Sequence, residues 1–95
     1  MDKIKAMEAC VRGVDTGGIT RAAEMMGAPK ATVSTLIQEL EAQLGARLLH
    51  RTTRKVTVTA DGAAYYERCV RILDDLREAD EAISRVSQDK ARNST

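Results

Sequence analysis

The chain has no phenylalanine, no tryptophan and only two tyrosines, Tyr65 and Tyr66. Its interior must therefore be built from aliphatic side chains. Two cysteines, Cys10 and Cys69, lie far apart and form no CxxC pair. That spacing excludes a disulfide framework and a metal knuckle, and it reads as two reduced thiols in apolar positions. His50 is the sole histidine. No nucleophile–base arrangement, phosphate-binding glycine loop or metal-ligand spacing accompanies it, so the expectation is no enzyme, no cofactor and no metal. Within a basic stretch, His50 is expected to touch a phosphate or solvent. No apolar run approaches the roughly 18 residues of a membrane span. The start, MDKIKAMEACVRG, holds no secretory h-region. The expectation is a cytoplasmic protein without a membrane partner.

What is present is a single domain's length, 95 residues. A chain of that size buries only about two-thirds of its unfolded surface, so a second copy would stabilise it. The net charge of +1 conceals an asymmetry: residues 1–59 carry nine Lys/Arg against six Asp/Glu, and residues 60–95 carry six against eight. Residues 47–55, RLLHRTTRK, hold four Lys/Arg and no acid. A cationic stretch of this kind after a helix points to a polyanion.

Hydrophobic spacing organises the rest. Ile4, Met7, Val11 and Val14, with Cys10 alongside, predict a first helix over about 2–15, capped by Asp2 and ended by DTGG. Ala22, Ala23, Met25 and Met26 predict a short helix over about 19–26, closed by Gly27. Pro29 suits the start of a third helix over about 30–44, whose inward stripe is Val33, Ile37, Leu40 and Leu44. Two helices joined by a few residues containing glycine form a helix-turn-helix. KVTVT alternates as a strand does, with RLL as its candidate partner; the two enclose a basic loop and make a wing. Thr59 and Asp61 begin a fourth helix over about 60–88. Along it Tyr65, Cys69, Ile72, Leu76, Ala79, Ile83 and Val86 repeat at 4 and 3, an a/d seam suited to a partner helix. A disordered polar tail is expected over 89–95. Seam cysteines on two copies would also meet, which raises the idea of a redox role for Cys69.

The second helix of a helix-turn-helix presents its N-terminal half to the major groove of DNA, where base edges are distinguishable. Lys30, Ala31, Ser34, Thr35 and Gln38 share an outward face. Lys30 can reach phosphate or guanine acceptors, Ser34 and Thr35 can donate hydrogen bonds, and the Ala31 and Thr35 methyls can meet a thymine methyl. Arg51, Thr52, Arg54 and Lys55 on the wing would lie along the backbone or in the minor groove. Two copies paired through the fourth helix would read an interrupted inverted repeat of double-stranded DNA. Two other readings compete: a helical protein–protein module, and a sequence-independent architectural DNA-binding protein.

The pieces AAEMMG, VSTLIQELEAQLGARLL, RTTRKVTVT and GAAYYER resemble the N-terminal DNA-binding domain of LysR-type transcriptional regulators of bacteria, over about residues 2–86. The resemblance implies a mainly α fold: a winged helix-turn-helix with a three-helix core, a small β-hairpin wing and a long C-terminal dimerising linker helix. It divides the chain into a DNA-binding part (1–59), a linker helix (60–88) and a tail (89–95) that leads to an effector-binding domain. Any small-molecule effector would bind that further domain, and the full-length protein would be a tetramer on the nucleoid. The resemblance further implies base or phosphate contacts from Lys30, Ala31, Ser34 and Thr35, backbone contacts from Thr32 and Arg51, and minor-groove entry by Arg54. Against the family pattern, aromatics are replaced by Cys10, Ile19 and Leu49, a capping serine by Pro29, and an arginine by Thr35. Loss of a bidentate guanine reader removes about 1–3 kcal/mol of base discrimination, so shape and phosphate contacts should carry a larger share. Leu36 stands where the family usually has a polar residue, with core packing or a thymine methyl as its possible partners.

Overall fold

The computed structural model describes residues 1–52 and 55–93, with side chains described as far as Arg85. Four helices and one hairpin follow in the order α1 (Lys3–Thr16), α2 (Ile19–Met26), α3 (Lys30–Leu44), β1 (Leu49–Arg51), β2 (Val56–Val58) and α4 (Ala60–Asn93). The Asp2 carboxylate caps α1 by accepting from the Lys5 N–H at 3.1 Å. Gly27, between α2 and α3, has φ of 64°. That left-handed conformation costs glycine little and lets the chain reverse within three residues.

Helices α1, α2 and α3 close around Ala6, Ala9, Cys10, Ala22, Ala23, Val33, Ile37 and Leu40, and the hairpin adds Leu48, Leu49 and Val56. Four of these residues are alanines, so the backbones of α1 and α2 approach closely and the bulk comes from α3 and the hairpin. No aromatic residue is needed at the centre; Tyr65 packs at its margin. A second cluster, Met7, Val11 and Cys69 with Tyr65, Tyr66, Val70 and Leu73 beside it, seats the start of α4 on α1. The Tyr66 hydroxyl donates to the Asp15 carboxylate across the same joint. Ile4 and Leu44, expected on inward stripes, are 44% and 38% exposed. Each lies at a helix end that overruns the core.

The hairpin is antiparallel, pairing Leu49 with Val58, His50 with Thr57 and Arg51 with Val56. The strand begins two residues later than the expected RLL. The Glu41 carboxylate accepts from the N–H groups of Leu48 and Leu49, at 2.7 and 3.2 Å, and the Leu48 carbonyl accepts from the Thr59 N–H at 3.0 Å. The Thr59 hydroxyl also donates to the Arg47 carbonyl, so Arg47 and Leu48 are engaged in the junction before the ladder opens. The far side of the hairpin is tied to the α1–α2 turn by the Val56 N–H on the Gly17 carbonyl, at 3.1 Å.

Thr59 caps α4, its hydroxyl accepting from the Gly62 N–H at 2.9 Å. Gly62 is required by closeness: a Cβ there would fall 1.9 Å from the Leu48 carbonyl oxygen. The helix continues to Asn93, five residues past the expected end. The disordered tail expected over 89–95 is therefore wrong for 89–93, and 94–95 lie outside the described residues. Beyond Gly62 the sequence has neither glycine nor proline, and Lys90, Ala91 and Arg92 are good helix formers. The result is an elongated molecule, 57 × 24 × 22 Å, with α4 projecting from a small head.

Candidate nucleic-acid interface

The inward stripe of α3 (Val33, Ile37, Leu40) is fully buried, which turns the opposite face to solvent. Lys30, Ala31, Thr32, Thr35 and Gln38 are all exposed there, and Ser34 is half-buried. The neighbour that covers Ser34 is Arg51, whose guanidinium Nη1 donates to the Ser34 Oγ at 2.6 Å. This bond joins the helix to the hairpin across 17 residues of sequence. It leaves the Ser34 O–H proton free to donate elsewhere and most of the guanidinium N–H groups unused. At the end of β1, the Thr52 N–H donates to the Lys55 carbonyl at 2.9 Å and the Lys55 N–H donates to the Thr52 Oγ1 at 3.1 Å. That closure places Thr52 and Lys55 side by side at the base of the wing tip. Arg54 lies outside the described residues.

Between α1, α2, the start of α3 and the hairpin is a concavity of about 320 Å³. Arg21, Lys30, Arg51 and Lys55 line it, with Thr16, Thr20 and Thr52 and, among the described residues, no acidic side chain. Gly18, the N-cap of α2, supplies no side-chain cap. The start of α2, Gly18 to Thr20, lines the concavity and lacks a side-chain cap, and a helix start of this kind attracts phosphate. Arg21, Thr16 and Thr20 were not expected from the sequence as members of the site. The signal present was an uncapped glycine start, GGITR, followed by an arginine. Arg51 also borders a second, wider cleft of about 600 Å³ beside Gln38, Ala42 and Arg47, so it stands on the ridge between the two.

The fourth-helix residues separate into two groups. Cys69 has no exposed surface and packs on Met7 and Val11 of its own chain. Tyr65 is half-buried against the same core. Cys69 therefore cannot lie in a contact between two copies, because the first heptad of the seam is occupied by α1. The idea of a cross-dimer redox pair falls with it. Ile72, Leu76 and Ile83 are 44%, 41% and 68% exposed, Ala79 is also exposed, and the Val86 side chain is outside the described residues. Burial, then the proximity of Cys69 and Glu41, push the Cys10 thiol up to about 12. Burial also raises Cys69, partly opposed by its hydrogen bond with Tyr65. Both thiols are protonated at neutral pH and serve as packing groups. His50 is exposed on β1. Among the described residues, no cluster of His, Cys, Asp or Glu is gathered as for a metal, and no helix is long and apolar enough to cross a membrane.

Residues 4–63 match the bacterial regulatory helix-turn-helix proteins of the lysR family. The chain belongs to this family. It is 49% identical over 78 residues to the HTH-type transcriptional repressor PA14_22550 of Pseudomonas aeruginosa, covering 82% of this chain and 25% of that protein. It is 45% identical over 80 residues to the HTH-type transcriptional regulator YhjC of Escherichia coli, covering 84% and 27%. The chain thus spans about a quarter of the length of these relatives. Its fold is that of the BenM DNA-binding domain in complex with catB site 1 DNA, with a TM-score of 0.83 at 26% identity over 92% of this chain and 96% of that one. The CbnR DNA-binding domain in complex with DNA is similar, with a TM-score of 0.78 at 29% identity over 92% and 98%. The LysR members it matches are transcriptional regulators rather than enzymes, and the architecture is the family's winged helix-turn-helix.

Proposed function

We propose that this chain is the DNA-binding part of a LysR-type transcriptional regulator, reading double-stranded DNA as a homodimer on an interrupted inverted repeat. The observation that carries this reading is the Ser34–Arg51 bond, which sets the polar face of α3 and the basic base of the hairpin on one surface. In the complex α3 enters the major groove with Lys30, Ala31, Ser34, Thr35 and Gln38 toward base edges and Thr32 toward the backbone. Arg21, Lys30, Arg51 and Lys55 neutralise phosphates around the α2 start. Arg54 reaches the minor groove, as the family resemblance implies.

The chain divides in function into a head, residues 1–59, and the helix that follows. The outward stripe of α4, from Ile72 to Ile83, joins two copies. In the whole protein a further domain receives the small-molecule effector, four copies assemble, and the regulator acts in the cytoplasm on the nucleoid. The relatives' names and the DNA complexes of BenM and CbnR support the DNA-binding part of this reading. Selection from a random duplex pool, followed by titration of the recovered duplex at two salt concentrations, tests it. Recovered sites should be inverted repeats bound with a steep salt dependence. Equal affinity for scrambled duplexes would indicate an architectural protein instead, and no binding at low salt an interaction module.

A further inference from the structure

The exposed face of α3 is divided along its length. The edge beside the hairpin carries Ser34 and Gln38, next to the Arg51 guanidinium. The other edge is different in kind. Ala31, Thr32, Thr35, Leu36 and Glu39 line an open groove of about 290 Å³. Four methyl-bearing side chains line it, with no cation and no amide. Leu36 is partly buried against the core, so its exposed methyls are held in place, while Ala31, Thr32 and Thr35 are open to solvent.

We propose that this groove reads the 5-methyl group of thymine, making Thr35 and Leu36 specificity-determining residues. The inference rests on the DNA-binding reading above and adds what the helix selects. Glu39 repels phosphate, so a base edge rather than the backbone enters the groove at its Thr35–Leu36 end, away from the backbone-facing Thr32. Among base edges in the major groove, the thymine C5-methyl is the apolar group. Thr35 follows Ser34 directly on the outward side of α3, so both edges meet the same duplex. Recognition on this side is by burial of methyl against methyl, which is worth roughly a fourfold change in affinity for one group. Because the contact is to the methyl and not to the ring, 5-methylcytosine at the same step should be accepted better than cytosine.

The test uses the duplex recovered by selection. Each thymine is replaced in turn by uracil, which removes the methyl group alone. Affinity should fall about fourfold at one or two thymines in each half-site and stay constant at the others. Replacing such a thymine by cytosine should weaken binding, and 5-methylcytosine should restore part of the loss. Thr35→Ser deletes one lining methyl at an exposed position and keeps the hydroxyl; it should bring the thymine-to-uracil ratio toward one while the far-UV circular dichroism melt is unchanged. Leu36→Ala should do the same with some loss of stability. Equal binding of all uracil and thymine duplexes, or a ratio unmoved in both variants, overturns the inference. Failure to enrich any duplex overturns the DNA-binding reading itself, a result distinguishable from the first.

Discussion

Two isoleucines, Ile37 and Ile72, show how differently the two ends of the molecule are held. Ile37 is wholly buried between three helices and the hairpin, whereas Ile72 is 44% exposed on the outer side of α4. Both lie on regular apolar stripes of their helices. In the head the stripe meets a core from the same chain. Along α4 the stripe meets α1 as far as Cys69, and among the described residues Ile72, Leu76 and Ile83 beyond it stay exposed. Apolar periodicity announces that a face will be buried; it does not say by which chain.

That contrast can be tested most strongly in the head. Ile37→Ala should lower unfolding free energy by about 2–5 kcal/mol, the range for a large-to-small change in a packed core, read by urea denaturation. Ile72→Ala should leave the monomer's stability within roughly 1 kcal/mol, since a half-exposed side chain loses little transfer energy. Placing charge on the outer stripe, Ile72→Glu with Leu76→Glu, should convert a dimer to a monomer in sedimentation without shifting the far-UV spectrum. An unaltered dimer mass would place the contact between copies elsewhere.

The joint between α3 and the hairpin should respond at the next level. Glu41→Ala leaves the Leu48 and Leu49 N–H groups without their acceptor, at a cost of about 1–3 kcal/mol, measured by thermal unfolding. At the DNA surface, Arg51→Ala should weaken binding and flatten the plot of log affinity against log salt by roughly 0.9 for each copy bound. A further effect concerns alkaline pH. The folded state holds the Cys10 thiol protonated up to about 12, whereas an unfolded thiol ionises near 9.0. Between those values the unfolded state binds fewer protons, so stability falls as pH rises, with a slope of at most about 1.4 kcal/mol per pH unit. Cys10→Ala should remove that component of the slope, seen by comparing the denaturation midpoints of the two proteins from pH 8 to 10.

Much of the head was legible because its signals are local. The boundaries of α2 and α3 follow from Gly27, Pro29 and Gly45, and the burial of Val33, Ile37 and Leu40 follows from their spacing. The exposure of Lys30, Thr35 and Gln38 is the same inference read from the opposite side. What local pattern could not reveal involves partners distant in sequence. Arg51 reaches Ser34 and thereby ties the hairpin to the helix. Glu41 uses its carboxylate to set the hairpin's first residue. Arg21 joins the cationic concavity because α2 packs beside the hairpin. Seven evenly spaced seam residues gave no indication that Cys69 would be consumed by α1.

The order of residues by itself determined the helices, their turns, the wing and the sign of the charge near it, because backbone propensity and hydrophobic period act over only a few residues. Only the tertiary structure decided which half of the α4 stripe remains free, where the strand begins and which cations converge on one concavity. Those outcomes depend on the packing of elements remote in the chain, and nothing within a single turn of helix encodes such a meeting.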